Sequence, residues 1–229
     1  MATNRSTPEG PRILVLGRPG SGKGTQCGRL AAHLGVPHIS TGDLFRETVA
    51  RDTPLGRLVR EYMETGELVP DDLVLDVVDD RLGAHGAAVG FVLDGFPRTV
   101  PQAEQLVELL GAHELDLALD LEVPAETARR RLASRQVCGD CGRSIGPTGP
   151  DGPCGDCGGT ISERPDDDAS TVAHRLALYD RVTAPLIEWL DARAVLVRVD
   201  GQGHPDEVAA RIDAACEAAL FSRSRDLAS

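Results

Sequence analysis

The sequence predicts an α/β fold, a doubly wound parallel sheet flanked by helices and carrying two insertions. Three observations lead there. Short apolar runs at 12–17 ("RILVLG"), 91–94 ("FVLD"), 117–123 ("LALDLEV") and 195–199 ("VLVRV") alternate with stretches of helical periodicity, the pattern of buried parallel strands joined by crossover helices. The first run ends in a glycine-rich loop that opens a helix. Two Cys-x-x-Cys pairs interrupt the chain near its middle, in "CGDCGRSIGPTGPDGPCGDCGG" (138–159).

The 229 residues suffice for one α/β domain with appendages rather than two independent cores. The opening "MATNRSTPEGPR" has no apolar leader segment, and no stretch approaches the roughly 18 apolar residues of a membrane span. A cytoplasmic protein is expected, with residues 1–11 disordered. A formal charge of −12 argues against nucleic acid and anionic membranes as partners, so any phosphate site must be local. All but one of the 24 lysines and arginines are arginine; the exception is Lys23. An ammonium is a compact point charge that fits inside a curled backbone, where a planar guanidinium does not.

Lys23 lies in "GRPGSGKGTQ", directly after the first predicted strand. Gly17, Gly20 and Gly22 permit a backbone whose N–H groups turn inward around an anion, at the positive end of the following helix. The spacing fits G-x-x-x-x-G-K, the phosphate loop of P-loop NTPases, with the expected hydroxyl displaced by Gly24 to Thr25. Lys23 would reach the β- and γ-phosphates, and a plain glycine turn between strand and helix is the alternative. Next, "HISTGDLFRE" (38–47) places Ser40, Thr41 and Asp43 at a helix start with Arg46 one turn inside. Simple capping would explain the first three. The strand at 91–94 ends in Asp94-Gly95 and leads through Phe96-Pro97-Arg98-Thr99 to a new helix, and an acid at the carboxyl end of a strand lies where α/β sheets bind ligands.

These segments, in this order from about Arg12 to beyond Val199, resemble the adenylate kinase family, whose phosphate loop also reads Lys-Gly-Thr. The resemblance implies reversible, magnesium-dependent phosphoryl transfer between ATP and AMP, giving two ADP, by a monomer. It implies catalytic roles for Lys23, Arg98, Arg135, Arg164, Arg175 and Asp94, the last acting near magnesium through bound water. Gly20, Ser21, Gly22, Lys23, Gly24 and Thr25 would hold ATP, with Arg131, Arg135, Ser144, Ile145 and Gly203. Thr41, Arg46, Glu67, Leu68, Val69, Gly95, Phe96, Pro97, Arg98 and Gln102 would hold AMP, with Arg164 and Arg175 beside its phosphate. The chemistry agrees: forked guanidinium groups position phosphates, and Gln102 offers the donor and acceptor that an adenine edge requires. Asp166 and Asp167 would help fix the closed lid. The implied domains are core at 12–39, an AMP-binding helical insertion at 40–69, core at 70–133, a zinc lid at 134–167, and core with a C-terminal helix at 168–229.

Cys138, Cys141, Cys154 and Cys157 have the spacing Cys-x2-Cys-x12-Cys-x2-Cys, which supplies four thiolates for a closed tetrahedral zinc site. Disulfide or redox chemistry is the alternative. The segment is too poor in apolar residues to fold by burial alone, so zinc would supply the folding free energy. The twelve residues between the pairs are fewer than in zinc-bearing relatives, and the aromatic and Asn-Pro-Pro portion is missing. A rival reading, a nucleic-acid-binding zinc ribbon, conflicts with one Arg against three Asp in 138–161. A kinase acting on another nucleoside monophosphate remains the near rival. "EVPAETARRRLASRQ" reads as a helix with Arg131 and Arg135 one turn apart on one face, and a long helix is expected after "SERPDDDAS". His38, His174 and His204 have neither a Cys nor a second His at metal spacing and read as ordinary surface or core histidines. Cys27 and Cys216 read as packing residues.

Overall fold

A computed structural model of the protein describes residues 10–85, 89–111, 114–146 and 152–226. Of the expected disorder at 1–11, residues 1–9 lie outside the described residues. Gly10 and Pro11 lead into the first strand, and the Pro11 carbonyl accepts a hydrogen bond from the Phe91 N–H.

The first half of the chain runs β1 (Arg12–Leu16), α1 (Lys23–Leu34), β2 (His38–Ser40), α2 (Thr41–Ala50), α3 (Pro54–Thr65), α4 (Asp71–His85), β3 (Phe91–Asp94) and α5 (Val100–Leu110). After β4 (Leu117–Glu122) and α6 (Ala125–Ala133) come three short strands, β5 (Gln136–Cys138), β6 (Ser144–Ile145) and β7 (Ile161–Glu163). A 3-10 turn (Pro165–Asp167), α7 (Ala169–Leu178), a π-helical segment (Tyr179–Thr183), α8 (Ala184–Asp191), β8 (Leu196–Asp200) and α9 (Pro205–Asp226) complete it.

Five strands form a parallel sheet in the order β2-β3-β1-β4-β8. Both faces are covered, and alternation along each strand divides the core accordingly. Ile13, Val15, Val92, Leu117 and Leu119 pack toward α1 and α9, whereas Leu14, Leu16, Phe91, Leu93 and Ala118 pack on the other side with Phe96, Leu106 and Leu186. The carboxyl ends of the strands build the site. Val15 pairs with Asp94, Leu16 with Asp120, and Ser40 with Asp94, so two carboxylates and the start of α2 meet around the loop that follows β1. The strand order reverses here, which opens the crevice that doubly wound sheets use for ligands.

Local chemistry sets the helix boundaries. The Ser40, Thr53 and Thr99 hydroxyls accept hydrogen bonds from the Asp43, Gly56 and Gln102 N–H groups, and the Asp168 carboxylate accepts from Ser170 and Thr171, each cap satisfying donors that the helix cannot. One expectation needs correction. α6 ends at Ala133 and the chain passes into β5, so Arg131 and Arg135 do not share a helix face. The expected long helix runs from Ala169 to Asp191 and contains a π-helical turn, where the Ala184 N–H reaches back to the Tyr179 carbonyl. Pro185 follows directly and has no N–H to continue an α-helical ladder, so the wider turn absorbs the mismatch.

Leu119, in the central sheet, is wholly buried. We expect Leu119→Ala to lower the unfolding free energy by about 2–5 kcal/mol, seen as a lower denaturant midpoint with an unchanged slope.

Candidate active site

The loop after β1 curls because its glycines sit where side chains cannot. A Cβ on Gly20 would lie 2.4 Å from the Ala128 carbonyl oxygen, and Gly22 takes left-handed angles (φ 99°, ψ 7°) as the cap of α1. Gly22 contributes no side-chain cap, so the first N–H groups of α1 remain available to an anion. The Ser21 hydroxyl is buried without a hydrogen-bond partner among the described residues, a donor that a phosphate oxygen would satisfy. Arg131 fixes the loop from outside, donating to the Ser21 carbonyl at 2.9 Å and the Gly201 carbonyl at 3.0 Å. Lys23 folds back over the loop, its Nζ 2.6 Å from the Gly17 carbonyl and 3.1 Å from that of Arg18. Burial lowers its pKa to about 8; Asp94 opposes the shift, and Arg98 and Arg175 add to it. The Asp94 carboxylate faces the first turn of α1, with Oδ2 3.7 Å from where a Cβ on Gly24 would stand.

Across the crevice, α2 presents Thr41, buried, with its hydroxyl 3.4 Å from the Asp94 carbonyl. Arg46 is paired with Asp43. Arg98 is held by its Nε on the Gly95 carbonyl at 2.8 Å, beyond a cis Phe96–Pro97 bond. Gln102 is more committed than expected. Its Oε1 accepts from the Arg98 N–H at 2.7 Å and its Nε2 donates to Asp71 at 2.6 Å, leaving one lone-pair site and one N–H for a ligand. Glu67, Leu68 and Val69 form the connection between α3 and α4, where Val69 is buried and Glu67 lies 3.0 Å from His174 Nε2.

Arg135, Arg164 and Arg175, on either side of the cysteine-bearing segment, are joined through two aspartates. Arg135 makes a two-pronged contact with Asp167, at 2.6 and 2.5 Å. Arg164 Nε lies 2.7 Å from Asp166, and Arg175 reaches Asp166 at 3.1 Å and Asp167 at 3.3 Å. Burial by itself would raise the Asp166 carboxyl, but Arg164, Arg175 and Arg135 more than offset it and hold the group below its ordinary value. Burial lowers Arg98, Arg46 and Arg175, the last to about 10, and neighbouring guanidinium groups deepen each shift. Lys23, Arg46, Arg98, Arg135, Arg164 and Arg175 therefore form one cationic set around the mouth of the glycine loop.

A cleft of about 370 Å³ continues beyond the loop, lined by Arg18, Asp120, Glu122, Pro124, Tyr179 and Gln202 among others. Arg18 donates to Asp180 at 2.7 and 3.1 Å and stands 5.5 Å from the centre of the Tyr179 ring. Asp120 is buried, which raises its carboxyl, and Glu122 adds to the shift. Sequence reasoning missed both Arg18 and Asp120. The signal that marked Asp94, an acid at a strand's carboxyl end, could have found Asp120; nothing local marks Arg18, whose partners are 161 and 162 residues away. Gly203 (φ 104°) lies just past the cleft in the β8–α9 loop.

Ser144 and Ile145 sit in the lid sheet, order β6-β5-β7, with Ser144 exposed and Ile145 buried. The four cysteines converge: the sulfurs of Cys138 and Cys157 are 3.5 Å apart, those of Cys141 and Cys154 3.7 Å, and all four lie within 4.8 Å of one another as free thiols. Two backbone turns aim them, closed by the Gly142 N–H on the Cys138 carbonyl and the Gly158 N–H on the Cys154 carbonyl. Thiols pointed at one another across such a gap suit a tetrahedral thiophilic ion.

Fold and site together define a P-loop phosphotransferase acting on phosphate-bearing ligands. The family model for adenylate kinase matches residues 15–195. An adenylate kinase of Acidothermus cellulolyticus is 47% identical over 210 residues, covering 89% of this chain and 97% of that protein. One from Lachnospira eligens is 45% identical over 207 residues (88% and 97%), and one from Carboxydothermus hydrogenoformans 42% over 207 residues (88% and 97%). The chain belongs to the adenylate kinase family and is a nucleoside monophosphate kinase.

Removing the Asp166 charge separates two arginines from their shared partner. We expect Asp166→Asn to cost about 1.5–3 kcal/mol of stability at neutral pH. Because the folded pKa of Asp166 is depressed, its contribution is complete above the ordinary carboxylate value and is lost as pH falls through the folded value. The difference in melting temperature between parent and variant should therefore shrink on acidification.

Proposed function

We propose that the glycine loop and the facing arginines hold two nucleotides end to end, phosphate toward phosphate. As an adenylate kinase, the chain catalyses the reversible reaction ATP + AMP = 2 ADP. The observation that carries the site reading is the cationic set itself: five arginines and Lys23 gathered at one crevice, with Lys23, Arg46, Arg98 and Arg175 lowered by burial and by neighbouring guanidinium groups, in a protein of net charge −12. Such a concentration of desolvated positive charge is complementary to polyphosphate.

In this reading the loop N–H groups, Ser21 and Lys23 bind the ATP phosphates, with Gly20, Gly22, Gly24 and Thr25 completing the cradle. The ATP base enters the cleft lined by Tyr179 and Gln202, near Arg131 and Gly203. Thr41, Arg46, Glu67–Val69, Gly95–Arg98 and Gln102 bind AMP. The transferred phosphoryl passes through a loose transition state whose charge spreads over its outer oxygens, so catalysis rests on positioning and neutralisation rather than covalent chemistry. Lys23 exchanges the Gly17 and Arg18 carbonyls for phosphate oxygens. Arg135, Arg164 and Arg175 turn from Asp166 and Asp167 toward the same group, while Arg98 holds the acceptor phosphate. Asp94 would hold the water shell of a magnesium ion bound with ATP, which would supply further charge neutralisation.

The lid cysteines would hold zinc, which replaces the apolar core that this segment lacks: among its described residues Cys138, Ile145 and Cys154 are the buried side chains with hydrophobic character. A stiff lid then delivers its arginines together and excludes water. One chain supplies both subsites, which fits a monomer. Six free thiols, with no helix among the described residues long and apolar enough to cross a membrane, fit the cytoplasm.

ADP formation should be fastest with AMP when AMP, CMP, UMP and GMP are offered; a pyrimidine preference would overturn the acceptor assignment. Lys23→Met should lower turnover by a factor on the order of 100–1,000 with an unchanged denaturant midpoint, and near-normal turnover would remove the lysine from the mechanism. One zinc should copurify per chain, and chelation should lower the melting temperature. Metal-free protein with its four lid thiols oxidised in pairs would reverse that assignment.

A further inference from the structure

A second group of metal-competent side chains lies behind the phosphate loop, separate from the lid thiols. Cys27 on α1, His38 on β2 and Asp94 on β3 each present a donor atom, and the three atoms lie within 4.8 Å of one another. Register explains the convergence. Ser40 pairs with Asp94 and His38 with Val92, so His38 and Asp94 project from adjacent parallel strands on one face of the sheet. α1 packs on that face, where Cys27 shares a core cluster with Val15 and Val92. Cys27 is four residues after Lys23 and so lies one turn along the same side of the helix. His38 has no metal partner at sequence spacing; the fold supplies two from other elements.

We propose that Cys27, His38 and Asp94 form a second metal site, selective for a thiophilic divalent cation such as Zn²⁺, and that filling it inhibits the enzyme by taking Asp94 from the phosphate site. The donor set chooses the ion. Magnesium and calcium take oxygen ligands, whereas thiolate, imidazole and carboxylate together suit zinc. Zinc bonds of about 2.0–2.3 Å place tetrahedral donors roughly 3.3–3.8 Å apart, so closure needs shifts within reach of side-chain rotation. Three protein ligands leave the fourth position to water or a phosphate oxygen. Zn²⁺ enters, the Cys27 Sγ proton leaves to solvent, and His38 binds as the neutral ring. Cys27 is fully buried among apolar neighbours, so its thiolate forms only as the metal replaces the proton. The inhibitory half of the proposal rests on the kinase reading of Asp94; the binding half does not.

The test titrates protein carrying its lid zinc with ZnCl₂, reading bound metal by equilibrium dialysis and ADP formation in parallel. The parent should bind one further equivalent. Cys27→Ala and His38→Gln should each weaken that equivalent by roughly tenfold or more, while His33→Gln, on the exposed side of α1, leaves it unchanged. Both site variants should keep the lid zinc and the parent's activity without added zinc, which confirms that they fold, and should resist zinc inhibition. Co²⁺ added in place of Zn²⁺ should give a thiolate charge-transfer band that is absent from Cys27→Ala. If the parent binds no further equivalent, or both variants bind it as tightly as the parent, the site is overturned. If the variants lose the equivalent yet zinc inhibits them equally, the inhibitory role is overturned. A parent that makes no ADP before zinc is added contradicts the kinase reading and leaves the dialysis result intact.

Discussion

Gathering an ammonium and several guanidinium groups in a partly dehydrated crevice is unfavourable by itself, and the rest of the structure is arranged around that constraint. Each cation loses water on burial and each repels its neighbours, which is why Lys23, Arg98 and Arg175 all lose proton affinity. The chain offsets this with its own anions: Asp43 on Arg46, Asp166 on Arg164 and Arg175, Asp167 on Arg135. Those carboxylates occupy guanidinium groups in the way a phosphate would. The cationic set therefore does not stand bare.

The scaffold holds these groups on separate elements. The glycine loop, Asp94 and Arg98 stand at the carboxyl ends of central strands, where the core is dry and close-packed. Arg46 stands on α2, which packs against α3 and α4. Arg135 and Arg164 flank the small sheet β6-β5-β7, in which Cys138 and Ile145 are buried beside the converging thiols. The π-helical turn before Pro185 places Tyr179 and Asp180 against Arg18, tying the phosphate loop to the helix that follows the lid.

Much of this was legible because its chemistry is local. The loop from Gly17 to Thr25 announces itself by glycine spacing and the chain's single lysine; the four lid cysteines by paired spacing; Ser40 and Thr99 by the helix starts they cap. Long-range partners were not legible. Gln102 reads as a free amide until Asp71 and the Arg98 N–H are seen to use it. Arg131 and Arg135 read as one helical face until the chain is seen to leave the helix at Ala133. Asp120 carries the same strand-end signal as Asp94 yet gains its meaning only from burial beside Tyr179 and Arg18.

The amino-acid sequence alone determined four of the five strands of the parallel sheet, the phosphate-binding loop, the arginines available for anions and the thiol set of the lid, because each is written in local spacing; the short strands β2, β5, β6 and β7 are not. Tertiary structure decided which carboxylate holds which arginine, how far Lys23 is dehydrated, and that Cys27, His38 and Asp94 meet. Those outcomes are set by strand register and helix packing, which join residues far apart in the chain and leave no trace in local spacing.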